Sequence, residues 1–440
     1  MKKTTIIKLL SLFLIFGVLS SCSMQKAKIN VKLNKGKKRM FENDYRGALN
    51  IYREILSLDN THPKANYKVS ECQYNLGKYT TAMKYVAKAY SLDSTVDDEI
   101  HFLLGSCYHK TGKIDLAKKH YLLFKKDASS TIQKNYFVDN LISQCDYAKK
   151  QMENPIDVTI KNIGKNINTI NPEYSASVTA DGKTLVFTSR RSDTKGGMTD
   201  SESDNLYFED IYISKYNDIR EEWGKAEPIK GKVNTESHDA VLNIAPDGSY
   251  ILVYKSETKA GDIYISKYDI DSNRFSRPKP IDKGKNVNSS YFEGSASMTS
   301  DGNTIFFVSD RSKGKGGADV YMSLRVSNNT WSEPVNLGDS INTELDEQCV
   351  FVHPKGQILF FTSQGHDNLG GYDIFVSYKK DGRWGKAKNL GYPINTVKDE
   401  KTFSITQDGK TAFISAQYKN SKGGNDIYQV DLSKLNILEK

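Results

Sequence analysis

The sequence predicts two unlike modules in series, an α-helical repeat solenoid followed by a five-bladed β-propeller, a multidomain α plus all-β fold. Two internal periods and one change of hydrophobic pattern carry that reading. Between Asn171 and Leu432 one pattern recurs five times: a polar-alternating run, a turn, an apolar run ending near Ser, a Gly-Gly-x-Asp-Ile-Tyr box, then Trp-x-x-x-Pro and Leu-Gly-x-x-Ile-Asn-Thr. The turns, Asp181-Gly182, Asp247-Gly248, Asp301-Gly302, Lys355-Gly356 and Asp408-Gly409, stand 66, 54, 54 and 53 residues apart. A fixed period of this length marks a radial or stacked array rather than a single-core enzyme domain. Upstream the period is 34 to 35 residues, and apolar residues follow helical spacing instead of alternation.

Within the first blade, residues 175–179, 184–189, 210–215 and 225–229 are short, rich in β-branched and aromatic residues, and bounded by turn residues. Those are strand signals, and Asp-Gly between the first two is a hairpin turn because Gly adopts the positive φ it demands. Four strands per unit repeated about an axis make a propeller blade. The boxes Asp210-Ile211-Tyr212, Asp262-Ile263-Tyr264, Asp319-Val320-Tyr321, Asp373-Ile374-Phe375 and Asp426-Ile427-Tyr428 put the apolar residue and the aromatic on opposite strand faces, so both pack between blades. The fifth copy lacks its own Trp-Pro and Leu-Gly-Ile-Asn-Thr piece. Residues 158–163, followed by Gly164-Lys165-Asn166-Ile167-Asn168-Thr169, supply an orphan copy ahead of the first. Borrowed by the last blade, that strand would close the ring and pair otherwise open edges. An open stack and a ring with a sixth, degenerate blade are the alternatives.

From Lys35 to about Lys126, Tyr45-x-x-Ala48-x-x-x-Tyr52-x-x-Ile55 recurs as Tyr79-x-x-Ala82-x-x-x-Val86-x-x-Ala89 and as Ile114-x-x-Ala117-x-x-x-Tyr121-x-x-Phe124. Gly105 and Tyr108 precede Ala117 at the offsets of the tetratricopeptide (TPR) signature. Small residues there let paired helices approach closely. Tyr52, Tyr85 and Phe124 read as packing residues, and Val138, Leu141, Ile142, Cys145 and Ala148 form an apolar stripe on a capping helix. Such a stack presents a concave groove for an extended peptide or a partner helix. The alternative is a spacer between membrane and propeller. Cys72, Cys107, Cys145 and Cys349 show no Cys-x-x-Cys spacing, and core thiols are expected over disulfides or ligands.

The first 21 residues carry Lys2 and Lys3, then an apolar stretch, 6–19, broken only by Lys8, Ser11 and Gly17. It is too short for a membrane span, ends in small residues, and reads as a secretory signal peptide. Leu19-Ser20-Ser21-Cys22 resembles the bacterial lipobox, in which the Cys becomes the lipidated first residue of the mature chain. Acyl chains contribute roughly 0.8 kcal/mol per buried CH₂, so several on Cys22 would hold the protein on a membrane. By resemblance to lipoprotein sorting rules, Ser23 in place of Asp suggests the outer membrane. The run Ser23-Met24-Gln25-Lys26-Ala27-Lys28, without acidic residues, suggests a periplasm-facing position.

The chain is basic, with 62 Lys and Arg against 53 Asp and Glu, and lysines occur in both modules. An export signal and the lack of an interleaved basic-aromatic motif argue against nucleic acid as a partner. Seven His residues include no His-Glu-x-x-His and no zinc-spaced pair, and His238, His353 and His366 read as isolated surface or turn residues. Neither a Gly-x-Ser-x-Gly elbow nor a phosphate-binding loop appears. Sialidase-type boxes read Ser-x-Asp-x-Gly-x-x-Trp, whereas Thr179-Ala180-Asp181-Gly182 and Thr299-Ser300-Asp301-Gly302 set Asp and Gly adjacent with no Trp after them. The catalytic domain of prolyl-peptidase propellers has no room in this chain. No catalytic residue, cofactor or metal ligand is assigned, and enzymatic activity is not expected. One departure from the period stands out. The Gly-Gly to Asp gap is two residues in the later blades but thirteen from Gly197 to Asp210, with Asp200, Glu202, Asp204 and Glu209 inside. Loops inserted on one propeller face are where partners often bind. A solvated acidic excursion is the alternative, and calcium binding there lacks the spacing of a known loop.

The order lipobox, TPR stack, then Asp-Gly and Gly-Gly-x-Asp-Ile-Tyr blades resembles the TolB-type, WD-repeat-like propeller lipoproteins of Bacteroidetes over nearly the whole chain. Longer relatives add a carboxypeptidase-regulatory-like domain and an OmpA-type peptidoglycan-binding domain, and one such protein is associated with type IX secretion. The sequence ends at Lys440 without that wall anchor, which puts peptidoglycan attachment in doubt and leaves lipid as the evident tether. The resemblance implies a non-enzymatic outer-membrane lipoprotein scaffolding an envelope assembly, such as secretion or outer-membrane biogenesis machinery. Its partners would be envelope proteins, in the helical groove and on a propeller face. The alternative is a glycan or muropeptide receptor using the propeller's central mouth, with a hydrolase less favoured. The expected bounds are 1–21 signal peptide, 22–34 lipidated linker, 35–150 helical repeats with capping helix, 155–432 propeller closed by a 156–164 strand, and 433–440 tail.

Overall fold

The computed structural model describes residues 24–200, 205–256 and 261–439. The chain divides between Cys145 and Asp146 into two compact units. Among the described residues no helix is long and apolar enough to cross a membrane.

The first unit is helical. Helix α1 covers residues 24–41. It is followed by α2 (Tyr45–Leu58), α3 (Pro63–Asn75), α4 (Tyr79–Leu92), α5 (Ile100–Lys110), α6 (Ile114–Asp127), α7 (Ser130–Asn135) and α8 (Val138–Glu153), and the division between units falls inside α8. The stretch expected as a linker, 22–34, is helical from residue 24. Its Ile29, Leu33 and Met40 recur at helical spacing and pack against Ala48, Leu49, Tyr52 and Ile55 of α2. The side chain of Asp44 caps α2 by accepting from the Gly47 N–H at 2.8 Å, and a proline at the first position starts α3. Ala48, Ala82 and Ala117 are fully buried. A Cβ on Gly36 would stand 2.5 Å from the Tyr52 ring, and one on Gly105 2.6 Å from Tyr121, so only glycine lets these helix pairs approach. The unit is a TPR array. Among the described residues its cysteines form no disulfide, and burial pushes the Cys72 and Cys107 thiols up to about 12, which leaves them unreactive.

The second unit is five small antiparallel sheets arranged as a five-bladed propeller. The innermost strands are Glu173–Val178, Asp239–Ile244, Glu293–Met298, Glu347–Val352 and Thr402–Ile405. Each pairs with a second strand across a tight turn whose glycine (Gly182, Gly248, Gly302, Gly356 or Gly409) has φ between +67° and +76°. The Asp boxes open the third strands. Strand Thr159–Asn162 pairs antiparallel with Asp426–Asp431, so the fifth blade takes an edge from ahead of the first. Apolar clusters fill the spaces between blades. In one of them Phe413 and Ile427 of the fifth blade meet Phe187, Tyr212 and Trp223 of the first. The segment expected as a tail is packed: Ile437 is buried against Val430 and Leu432, and its carbonyl accepts from the Tyr378 hydroxyl at 2.9 Å.

A buried polar lattice repeats with the blades. Asn168, Asn234, Asn288, Asn342 and Asn395 each exchange two hydrogen bonds with the backbone of the residue after a box Asp: Ile427, Ile211, Ile263, Val320 and Ile374. The next residue, Thr169, Thr235, Ser289, Thr343 or Thr396, donates its N–H and hydroxyl to a fully buried carboxylate four positions on: Glu173, Asp239, Glu293, Glu347 or Glu400. These bonds satisfy backbone groups where the chain leaves one blade for the next.

Candidate functional site

The inner strands enclose an axial cavity of about 820 Å³. Tyr174, Arg190, Asp310, Asp346, Gln348 and Lys401 supply charges of both signs and hydrogen-bonding groups, while Leu206, Phe292 and Phe403 make parts of the wall apolar. Concave, part-apolar and sparsely polar surface of this size is the usual form of a ligand or peptide site. A second groove, of about 1030 Å³, runs between the first and second blades and carries Lys215, Lys225, Lys230 and Arg274.

The first-blade insertion reaches the wall of the axial cavity through Leu206. Its stem is a single antiparallel bridge between Thr199 and Tyr207, with the Asp200 N–H donating to the Leu206 carbonyl at 2.8 Å. Asn205 turns the chain at φ +58°. Two of the four acidic residues singled out by sequence, Asp200 and Glu209, come together on one partner. His238, at the entry to the second blade, places Nε2 3.2 Å from Asp200 Oδ2 and Nδ1 3.2 Å from Glu209 Oε2. The Phe208 ring lies 4.8 Å away, and the Tyr174 hydroxyl donates to Glu209. The hydrogen bond to Glu209 raises the His238 pKa above its ordinary value, against burial. Burial pushes Glu209 up, but His238 and Tyr174 outweigh it and leave the carboxyl below its usual range. Glu202, Asp204 and Cys22 lie outside the described residues.

His238 is therefore not isolated, because folding brings it to residues about thirty positions earlier. His353 and His366 serve turns, but from inside the ring. His353 is fully buried, with Nε2 3.1 Å from the Gln407 carbonyl of the next blade, and His366 Nε2 stands 2.8 Å from the Ile341 carbonyl. Among the described residues no group of three or more His, Cys, Asp or Glu could hold a metal ion.

Sequence reasoning missed the ring of buried acids, although Thr/Ser-x-x-x-Glu/Asp recurs five times. Three of these acids, Glu173, Glu347 and Glu400, have unusual proton affinities. Burial pushes Glu347 up to about 7 and Glu400 well above the usual range, and it raises Glu173 against the pull of Thr169 and Arg191. Perturbed carboxyls of this kind suggest catalysis on first inspection. Here each is held by hydroxyl and backbone donors inside the wall, which makes it a structural joint.

The family model of anaphase-promoting complex (cyclosome) subunit 3 matches residues 42–122, the span from the end of α1 into α6. Among solved structures, TolB from Acinetobacter baumannii is similar at 16% identity and TM-score 0.32 over 50% of this chain and 48% of that chain. This chain thus spans about half of that protein's length. The second TPR domain of human RPAP3, solved with an HSP70 peptide, is 16% identical at TM-score 0.25 over 28% of this chain and 98% of that one. An α-L-arabinofuranosidase from Podospora anserina, solved with cellotriose, is 13% identical at TM-score 0.38 over 62% and 96%. No curated protein matches the sequence. The chain is a TPR array joined to a five-bladed propeller, two folds suited to protein interaction.

Proposed function

We propose that the protein is a non-enzymatic outer-membrane lipoprotein, held by acyl chains on Cys22, that scaffolds an envelope assembly such as type IX secretion or outer-membrane biogenesis machinery. The observation that carries this proposal is the joining of two repeat folds in one chain, with an axial cavity in the propeller and buried ring acids absorbed by the ring's own hydrogen bonds. An extended peptide or helix from one envelope protein occupies the helical groove, and a second partner meets the propeller face that bears the insertion. The test is recovery of the tagged full chain from detergent-solubilised membranes. A specific envelope complex is expected, and repeated recovery of the chain alone would count against the scaffold. Metabolic labelling with a fatty-acid analogue should mark the protein and be lost in Cys22→Ser.

The axial cavity supports a second reading, a periplasmic receptor for glycans or muropeptides. Its mixed acids, amines and aromatic rings suit a polar ligand with apolar edges. Saturable binding of muropeptides to the purified full chain, without any protein partner, would favour this over the scaffold.

A further inference from the structure

The net charge of the chain is unevenly spread. Residues 24–145 carry 21 Lys and Arg against 12 Asp and Glu, whereas residues 146–440 carry 38 against 41. The helical unit therefore holds the positive excess, and the propeller unit is slightly acidic. The excess is steepest in α1, with seven Lys and Arg and no acidic residue.

The repeat register explains this concentration. Lys32, Lys35 and Arg39 stand sixteen, thirteen and nine residues before Ala48. Asn66, Val69 and Gln73 hold those places before Ala82, and all three are buried in the second repeat. In the third, His101, Leu104 and Tyr108 hold them, with Leu104 buried. Inner repeats use these positions for packing, whereas the first repeat has none before it in the described array. The open end of the stack is therefore cationic where inner repeats are packed. Lys28, Lys32, Lys35 and Arg39 recur at i, i+4, i+7 and i+11, one stripe along roughly 16 Å of helix. Glu54 takes Lys32 and Asp44 takes Arg39, while Lys28, Lys35 and Lys37 are solvent-exposed and make no ion pair among the described residues.

A single-sign stripe of this kind fits a polyanion, and the start of α1 indicates which one. The described chain is helical from residue 24, two positions after Cys22, and two residues span at most about 7 Å. Acyl chains on Cys22 would therefore hold the first turns of α1 within about one Debye length of lipid headgroups. Membrane anchoring is strengthened when acylation is combined with a basic patch. We propose that the basic stripe of α1 docks on an anionic phospholipid surface, setting the open end of the helical stack against the membrane. The proposal rests on the lipid-anchor reading.

The test uses the full chain purified from membranes and placed in bilayers of phosphatidylcholine alone or with about a third phosphatidylglycerol, a composition that leaves each nearby Lys worth roughly a fivefold change in surface affinity. Amine labelling read by mass spectrometry should run several-fold slower at Lys28 and Lys35 in the anionic bilayer, with Lys225 and Lys419 of the propeller unchanged. Half-molar salt should remove the difference. The Lys28→Glu variant, checked for helicity by circular dichroism, should lose it at Lys35. Equal labelling in the two bilayers at low salt would overturn the proposal. So would equal slowing at the propeller lysines, or slowing that appears only when an acidic envelope protein is added. None of these readouts depends on recovering a complex, so failure here is distinct from failure of the scaffold.

Discussion

Blades one to three and blades four and five fill the same slot with different charge. In the first three, Arg191, Lys255 and Arg311 donate to the carbonyl of the apolar residue ahead of the repeated Asn (Ile167, Val233 or Val287) and also pair with the buried acid (Glu173, Asp239 or Glu293). In the fourth, His366 reaches the equivalent carbonyl of Ile341, and in the fifth the Tyr418 hydroxyl donates to Ile394 at 2.8 Å. The aromatic setting is also kept. Arg191 lies over Tyr212 at 4.3 Å and Arg311 over Tyr321 at 5.1 Å, while His366 stands 5.2 Å from Phe375 and Tyr418 4.7 Å from Tyr428. Burial pushes His366 down, so it sits there as a neutral ring. What repetition preserves is the hydrogen bond that joins one blade to the next. The charge is free to change. Where the slot holds no cation, burial pushes the neighbouring Glu347 and Glu400 up toward the neutral form.

The largest expected effect breaks a charged slot. Arg311→Met leaves the Glu293 carboxyl buried without its partner, and a loss of about 3–5 kcal/mol is expected in denaturant unfolding. Adding Glu293→Gln should recover part of it. A cost below that of an ordinary surface change would mean the pair is solvated.

A neutral slot should behave in the opposite way. Burial raises the Glu347 carboxyl from an ordinary 4.5 to about 7, so between those values the folded state binds more protons than the unfolded one. Stability therefore falls as pH rises through that window. Glu347→Gln mimics the protonated acid. It is expected to be near neutral at pH 5 and to stabilise by about 1–3 kcal/mol at pH 8, by paired melts at the two pH values. Destabilisation at pH 8 would refute the assignment.

Smaller and more local is His238→Asn, which removes the charged link between the insertion stem and the second blade. Faster hydrogen exchange at Asp200 and Asn205 is expected, corresponding to about 1–3 kcal/mol of local opening, with little change in global melting. Unchanged exchange would show that the stem stands without the histidine.

The finest test moves no stability at all. His238 gains a carboxylate partner, so its folded pKa rises and its contribution is full below 6.5 and lost as pH climbs through the folded value. His366 is lowered by burial, so its contribution is full above 6.5 and is lost as pH falls through its folded value. Histidine NMR titration should place the two midpoints on opposite sides of 6.5, and coincident midpoints would remove the distinction.

Features encoded by local chemistry were legible in the sequence. Gly182, Gly248, Gly302, Gly356 and Gly409 announced their turns because few other residues tolerate that backbone, and Ala48, Ala82 and Ala117 announced helix pairs because little else fits. The α1 helix was half hidden. Its core-facing apolar positions are Ile29, Leu33 and Met40, and the lysines between them look like a linker. The buried acids were visible as letters but not as a lattice, since an acid four residues past Thr is as consistent with a surface turn. His238 left no signal. Nothing local ties it to Asp200 or Glu209, which reach it only after the first blade folds against the second.

The sequence by itself determined the two modules, the number of blades, the helix pairing and the concentration of positive charge in α1, because periodicity, glycine and side-chain size act over a few residues. Only the tertiary structure decided which acids and histidines have their proton affinity shifted, and that the first-blade insertion is tied down at the axial cavity. Those properties depend on burial and on partners far apart in the chain, and a linear pattern does not specify either.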